Sequence, residues 1–163
     1  MPSPSRLLAL TLLAAACTVT LPARLGEKGS DLRKRFGRPE VQPNKNTLAW
    51  LIEEAAGPLL YTVTLDEQGI SIAEGLKPYR HAQMNERSAR NFMAEQLGES
   101  ATAGTARAVK PGEAYTFGGE KFVCGPNEQV VVDEAGDRLV IWTLRPAQSV
   151  MAVTRAMVQR TAR

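Results

Sequence analysis

Apolar and polar side chains alternate with a period of two from Leu59 to Leu65. Leu59, Tyr61, Val63 and Leu65 fall on one face, and Leu60, Thr62 and Thr64 on the other. That period predicts a half-buried strand. Leu48–Glu53 predicts a strand before it, broken by Ala55-Ala56-Gly57-Pro58. Asp66-Glu67-Gln68-Gly69 predicts a turn, and Ile70–Glu74 a third strand with Ile70 and Ile72 on one face. Together they form an antiparallel meander whose buried face needs a helix over it.

Two segments carry helical spacing. In residues 25–38, Leu32 and Phe36 are four apart, Ser30 or Asp31 can cap the start, and Gly37 and Pro39 stop the run. Asn85 caps a second helix through Leu97, closed by Gly98, with Ala89, Phe92, Met93, Gln96 and Leu97 in one apolar stripe. Residues 40–46, with Pro43, and 77–83, with Pro78, are expected loops. Residues 99–112 are small, polar and unpatterned, and predict a flexible loop. Beyond them Ala114–Phe117 and Lys121–Cys124 flank Gly118-Gly119, a hairpin signal. Residues 129–133 and 138–144 predict a second hairpin, and the 138–144 strand is apolar on both faces, as a central strand is. Residues 147–161 fit both a strand and a helix, with the strand favoured over 149–154. The expected whole is a single α+β domain over residues 24–163. It has a mainly antiparallel sheet of about six or seven strands with two helices packed on it.

The N-terminus follows a different pattern. Arg6 precedes the uncharged apolar run Leu7–Ala16, acidic residues are absent until Glu27, and Pro22 breaks any helix. This is the pattern of a signal peptide, residues 1–23, cleaved after Ala23. Two alternatives stay open: cleavage before Cys17 with lipidation of its sulfur, since Ala14-Ala15-Ala16-Cys17 is close to a lipobox, and an uncleaved anchor. All three place the folded part outside the cytoplasm, periplasmic or secreted, or on the outer membrane as a lipoprotein. The membrane is engaged only through the signal peptide or a lipidated Cys17. Cleavage after Ala23 leaves Cys124 the single thiol, so no internal disulfide forms and burial of apolar surface must hold about 140 residues together.

Composition narrows the classes further. Hydrophobic residues are 44% and charged residues 23%, the mix of a folded globular protein. A formal charge of +3 is too mild to argue for nucleic acid. His81 and Cys124 permit one enzymatic reading, a small thiol-dependent enzyme in which the imidazole makes the thiolate. The spacing carries no family signature, and a packed thiol is the simpler account. One Cys and one His cannot build a structural zinc site, and Asp133, Glu134 and Asp137 fit a hairpin turn better than a calcium loop. No phosphate-cradling glycine loop is present, and no cofactor is implied. Glu53 and Glu54 would point to opposite faces of a continued strand. Trp50 and Tyr61 on strands, and Arg33 and Arg35 on the first helix, are the candidate binding residues. An open edge strand is another candidate for a partner.

From Leu32 to Glu74 the chain has a short helix ending in Phe36-Gly37 with Pro39, a strand with Trp50, a hairpin, the Gly69 turn and an outgoing strand. This order resembles the small outer-membrane lipoproteins of the SmpA/OmlA type, which share the fold of β-lactamase-inhibitor repeats. The resemblance covers about a quarter of the chain and implies a non-catalytic envelope protein that acts through contact with another envelope protein. The expected function is therefore non-enzymatic and contact-based, with the thiol enzyme as the alternative.

Overall fold

The computed structural model describes residues 24–98, 104–145 and 147–162. The expected signal peptide, residues 1–23 with Cys17, and residues 99–103 of the expected loop lie outside the described residues. The protein is α+β, and its main sheet is antiparallel throughout, with eight strands in the order β1-β2-β3-β4-β10-β9-β8-β5. The strands are β1 (Val41–Asn44), β2 (Thr47–Ile52), β3 (Leu59–Leu65), β4 (Ser71–Pro78), β5 (Arg107–Val109), β8 (Glu128–Asp133), β9 (Arg138–Thr143) and β10 (Ser149–Val153). A separate two-stranded sheet pairs β6 (Ala114–Phe117) with β7 (Glu120–Val123). Among the described residues three helices accompany them: α1 (Gly29–Phe36), α2 (Glu86–Leu97) and α3 (Arg155–Thr161).

The expected count of six or seven strands and two helices is corrected upward. Residues 41–44 form an edge strand, although Pro43 removes a donor there, because an edge strand needs donors on one side only. Residues 107–109 pair with Val130–Val132 as the opposite edge. The strand expected to end at Glu74 runs on to Pro78, since β3 on one side extends that far. The tail holds both of its possible structures in turn: residues 149–153 form a strand, and Thr154, whose hydroxyl accepts from Met157 N–H, caps the helix that follows.

α1 also starts earlier than its capping residues indicate. Its N-cap is Lys28, with no side-chain bond. Tertiary contact fixes the start instead, because Gly29 N–H donates to Gly69 O at 2.8 Å and Lys28 bridges Ile70. A Cβ at Gly29 would sit 2.6 Å from Leu65 Cδ1, so a larger residue there makes the Leu65 side chain move. α2 begins as expected, with Asn85 Oδ1 accepting from Ser88 N–H at 2.7 Å.

The topology contains an internal repetition. A helix and a three-stranded meander occur twice, as α1 with β2-β3-β4 and as α2 with β8-β9-β10. The final strands of the two copies, β4 and β10, pair antiparallel at the centre of the sheet, the arrangement that a two-fold relation between the halves produces. Both helices cover one face. Leu32 and Phe36 of α1 and Ala89, Phe92 and Leu97 of α2 pack on Leu48, Trp50, Tyr61, Val63, Leu76, Val140, Trp142 and Val150. Each fully buried aliphatic side chain here contributes about 1.5–3 kcal/mol.

The opposite face is covered over one half only. The β6–β7 hairpin and α3 supply Tyr115, Phe117, Cys124 and Val158 to a second cluster with Val109, Val130, Val132, Leu139 and Val153. Gly118 and Gly119 form the two-residue turn of that hairpin, and both take positive φ (63° and 89°), as the tight hairpin turn demands.

Candidate functional site

The strand pairings decide which residues share the partly covered face. Thr47 stands opposite Thr64, Ala49 opposite Thr62 and Leu51 opposite Leu60. Thr62 stands opposite Gly75, and Gly75 opposite Met151. Over β8, β9 and α3 this face is sealed. Over β2, β3, the second half of β4 and the middle of β10 it is only partly covered, with Ala49 and Ala73 buried and their neighbours less so. Leu51, Leu60, Thr62, Thr64 and Gly75 are half-buried, and Met151 is 43% exposed. None of these six is charged, but the Leu51–Leu60 row continues to the exposed Lys77 of β4. Thr62, Thr64, Gly75 and Met151 border a shallow dimple of about 150 Å³ against Met157 of α3. The threonines in Leu59–Leu65 already marked this as the less apolar side of β3. The Gly75–Met151 pair had no sequence signal, because it needs the β4–β10 pairing, 76 positions apart.

The edges of the sheet are poorer platforms. β1 is short, exposed and carries Pro43, and β5 has three residues. Short edges and proline are devices that discourage strand addition.

The aromatic candidates lie inside the fold. Trp50 is 2% exposed and Tyr61 1%. With Phe36 they form a cluster with ring centroids 5.3–5.9 Å apart. Trp50 Nε1 donates to Gly37 O at 3.1 Å, so the Phe36-Gly37 stop of α1 and the strand tryptophan are one device. A partner reaches neither ring without displacing α1. Arg35 pairs with Glu27 at 2.9 Å and sits 5.8 Å from the centroid of the Phe36 ring. Arg33 is exposed on the outer side of α1. The four candidate binding residues therefore do not share one surface.

Cys124 and His81 are not brought together either. Cys124 is 1% exposed, and its Sγ faces the carbonyl oxygens of Val109, Gly125 and Glu128 at 3.7–3.8 Å. Burial, followed by the charges of Glu128 and Glu113, pushes its pKa up, so it stays a thiol at neutral pH. His81 is exposed in the β4–α2 loop. Among the described residues no group of three or more His, Cys, Asp or Glu side chains is placed to hold a metal ion. Glu54 holds the start of α2, accepting from Ser88 Oγ and from Asn85 Nδ2 at 3.0 Å.

One buried polar cluster had no precursor in the sequence argument. Glu74 lies on the helix-covered face of β4 and is 2% exposed. Its Oε2 accepts from Tyr61 Oη at 2.9 Å and Gln96 Nε2 at 2.7 Å, and its Oε1 accepts from Ser71 Oγ at 2.9 Å. Gln96 Oε1 accepts from Leu25 N–H, and Ser71 Oγ from Gly26 N–H. The cluster thus ties residues 25–26 to α2 and β4. Burial raises the Glu74 pKa against the opposing effect of its three donors. Burial, the Glu74 carboxylate and its hydrogen bond push Tyr61 well above its ordinary value.

No protein-family model and no curated protein matches the chain. Among solved structures, the chain is similar to a cysteine-rich secretory protein from Staphylococcus aureus subsp. aureus Mu50. The identity is 14% and the TM-score 0.45, over 82% of this chain and 46% of that one. The chain spans about half the length of that protein, and a likeness of this degree assigns no function. Among the described residues no helix is long and apolar enough to cross a membrane.

Proposed function

We propose that this is a non-catalytic, exported envelope or secreted protein that works by binding another protein, and that the open half of the sheet face is its contact surface. The observation that carries the reading is the asymmetry of that face. A hairpin and a helix cover it over β8, β9 and the start of β4, whereas over β2, β3 and the rest of β4 it is left as partly open rows, one ending at Lys77 and the next at the exposed Met151. A flat surface of threonine, leucine and methionine suits a protein partner. Its apolar atoms gain from burial, and the hydroxyls keep it soluble when free. The repeated helix-and-meander plan supports kinship with the β-lactamase-inhibitor-repeat fold and, through it, with SmpA/OmlA-type lipoproteins. The export reading rests on Arg6 and the Leu7–Ala16 run.

The test is site-specific photo-crosslinking in the producing cell. A photoreactive residue in place of Met151 is expected to trap one protein, identified by mass spectrometry. The same residue in place of Lys34, on α1 across the sheet, is expected to trap none. Thr62→Arg should abolish the adduct while leaving the melting temperature within a few degrees. A Met151 probe that traps nothing, or an adduct indifferent to Thr62→Arg, refutes the surface. Intact mass of the exported form separates cleavage after Ala23 from acylation of Cys17, and a cell-associated chain with residues 1–23 intact refutes both.

A further inference from the structure

At the end of the sheet where β4 finishes and β10 begins, the β4–α2 loop faces the β7–β8 and β9–β10 turns across an open cleft of roughly 850 Å³. Three cations line it: Lys77 at the end of β4, Arg80 in the loop and Arg145 in the opposite turn. No carboxylate lines it, and none of the three has an acidic partner within ion-pair distance among the described residues. Unlike Arg24, Lys34, Arg35, Arg90, Arg107 and Arg155, which each meet a carboxylate, these three converge on one concavity without one. Like charges gathered in a concavity repel one another, and the field they focus is relieved by an anion.

The remaining polar groups fit the same occupant. Gln148 uses its Oε1 to accept from Met84 N–H at 3.2 Å, which leaves its Nε2 as the end free for a ligand. The side chains of Gln83 and Asn127 make no hydrogen bond among the described residues, so each offers an amide N–H. Arg80 is steadied by the Tyr79 ring, whose centroid lies 5.1 Å from its guanidinium carbon. No aromatic residue lines the cleft, so nothing there would stack a nucleobase. Its volume exceeds that of a bare phosphate and leaves room for the group that phosphate esterifies.

We infer that this cleft binds a phosphoryl group, held by Lys77, Arg80 and Arg145 and oriented by the carboxamides of Gln83, Asn127 and Gln148. Arginine forks and a lysine point charge match a dianionic phosphoryl group better than a single carboxylate. The group can belong to a soluble phosphate ester or to a lipid headgroup. The cleft adjoins the open sheet face, since Lys77 stands opposite Leu60, but apart from Pro78 the rest of its lining lies in the loops and the inference does not depend on that face.

Titration calorimetry at low salt with glycerol 3-phosphate, and sedimentation with phosphatidylcholine vesicles with and without phosphatidylglycerol, test the inference. Binding of the soluble ester, weakened by added salt, supports a free phosphate ligand. Binding only to the phosphatidylglycerol vesicles supports a lipid headgroup. Arg80→Gly keeps the loop conformation, because Arg80 has φ 56°. It and Arg145→Gln should each weaken binding about tenfold, the loss expected of one charge-assisted contact. Arg33→Gln removes the same charge from the outside of α1 and should leave affinity unchanged. The inference is overturned if neither probe binds, or if Arg33→Gln weakens binding as much as the cleft variants do.

Discussion

Replacing Glu74 separates the two terms that act on a buried carboxylate. Glu74→Ala leaves Tyr61 Oη without its acceptor inside the fold and removes one acceptor of Gln96 Nε2. Ser71 Oγ escapes, since Arg24 O stands 3.3 Å away as a second acceptor. The orphaned Tyr61 hydroxyl gives a loss of about 1–3 kcal/mol. Glu74→Gln differs in kind. Its carbonyl can take the Oε2 position and accept from Tyr61 and Gln96, while its amide donates to Ser71 Oγ, so no group is stranded. It also removes the cost of burying a charge. Burial raises the folded-state pKa of Glu74 above its ordinary 4.5. The folded protein therefore holds that proton more tightly than the unfolded chain does. The stability this contributes is fully present below the unfolded pKa and is lost as pH rises through the folded pKa. Tyr61 on β3, Glu27 before α1 and Arg35 on α1 are the titratable or charged groups that act on the cluster, and Glu27 adds to the upward shift of Glu74. Urea unfolding should show Glu74→Gln gaining on the parent protein as pH rises from mildly acidic to neutral, with Glu74→Ala below both throughout. Glu74→Gln as damaging as Glu74→Ala at neutral pH would refute the hydrogen-bond argument. A gap between Glu74→Gln and the parent that narrows as pH rises would refute the sign of the pKa shift.

Cys124 should react with a thiol reagent at neutral pH only after denaturant is added; fast labelling of the native protein would show that its packing against Val109 and Glu128 is wrong. Asn85→Ala removes the α2 cap and one bond to Glu54, and should cost about 1–2 kcal/mol in a thermal or urea melt. Thr154→Ala, which uncaps the short α3, should cost about 1 kcal/mol by the same measurement. Gly118→Ala should destabilise more than Gly119→Ala. Both have positive φ, but only at Gly118 does a new Cβ meet Val158, at 3.1 Å, and equal melting temperatures would contradict that contact.

Local pattern was sufficient wherever one element's surroundings are uniform along its length. The alternation in Leu59–Leu65 marked β3 and its two faces. Asn85 and Gly98 bounded α2, and the Gly118-Gly119 pair set the hairpin turn. The α+β class follows from these, since period-two and helical runs are both present and each must bury one side. What pattern could not supply is partnership across the chain. The start of α1 depends on Gly69 and Leu65, more than thirty residues downstream. β1 and β5 are strands because β2 and β8 offer them free hydrogen-bonding edges. Glu74 reads as an ordinary strand residue until β3 and α2 bring Tyr61 and Gln96 to it. The β4–β10 pairing decides the rest. It joins the two halves, sets Met151 beside Gly75 on the open face, and brings Lys77 and Arg80 to face Arg145 across one cleft. A side chain's period along the chain fixes which way it points relative to its neighbours; what it meets there is fixed only when distant strands choose their partners.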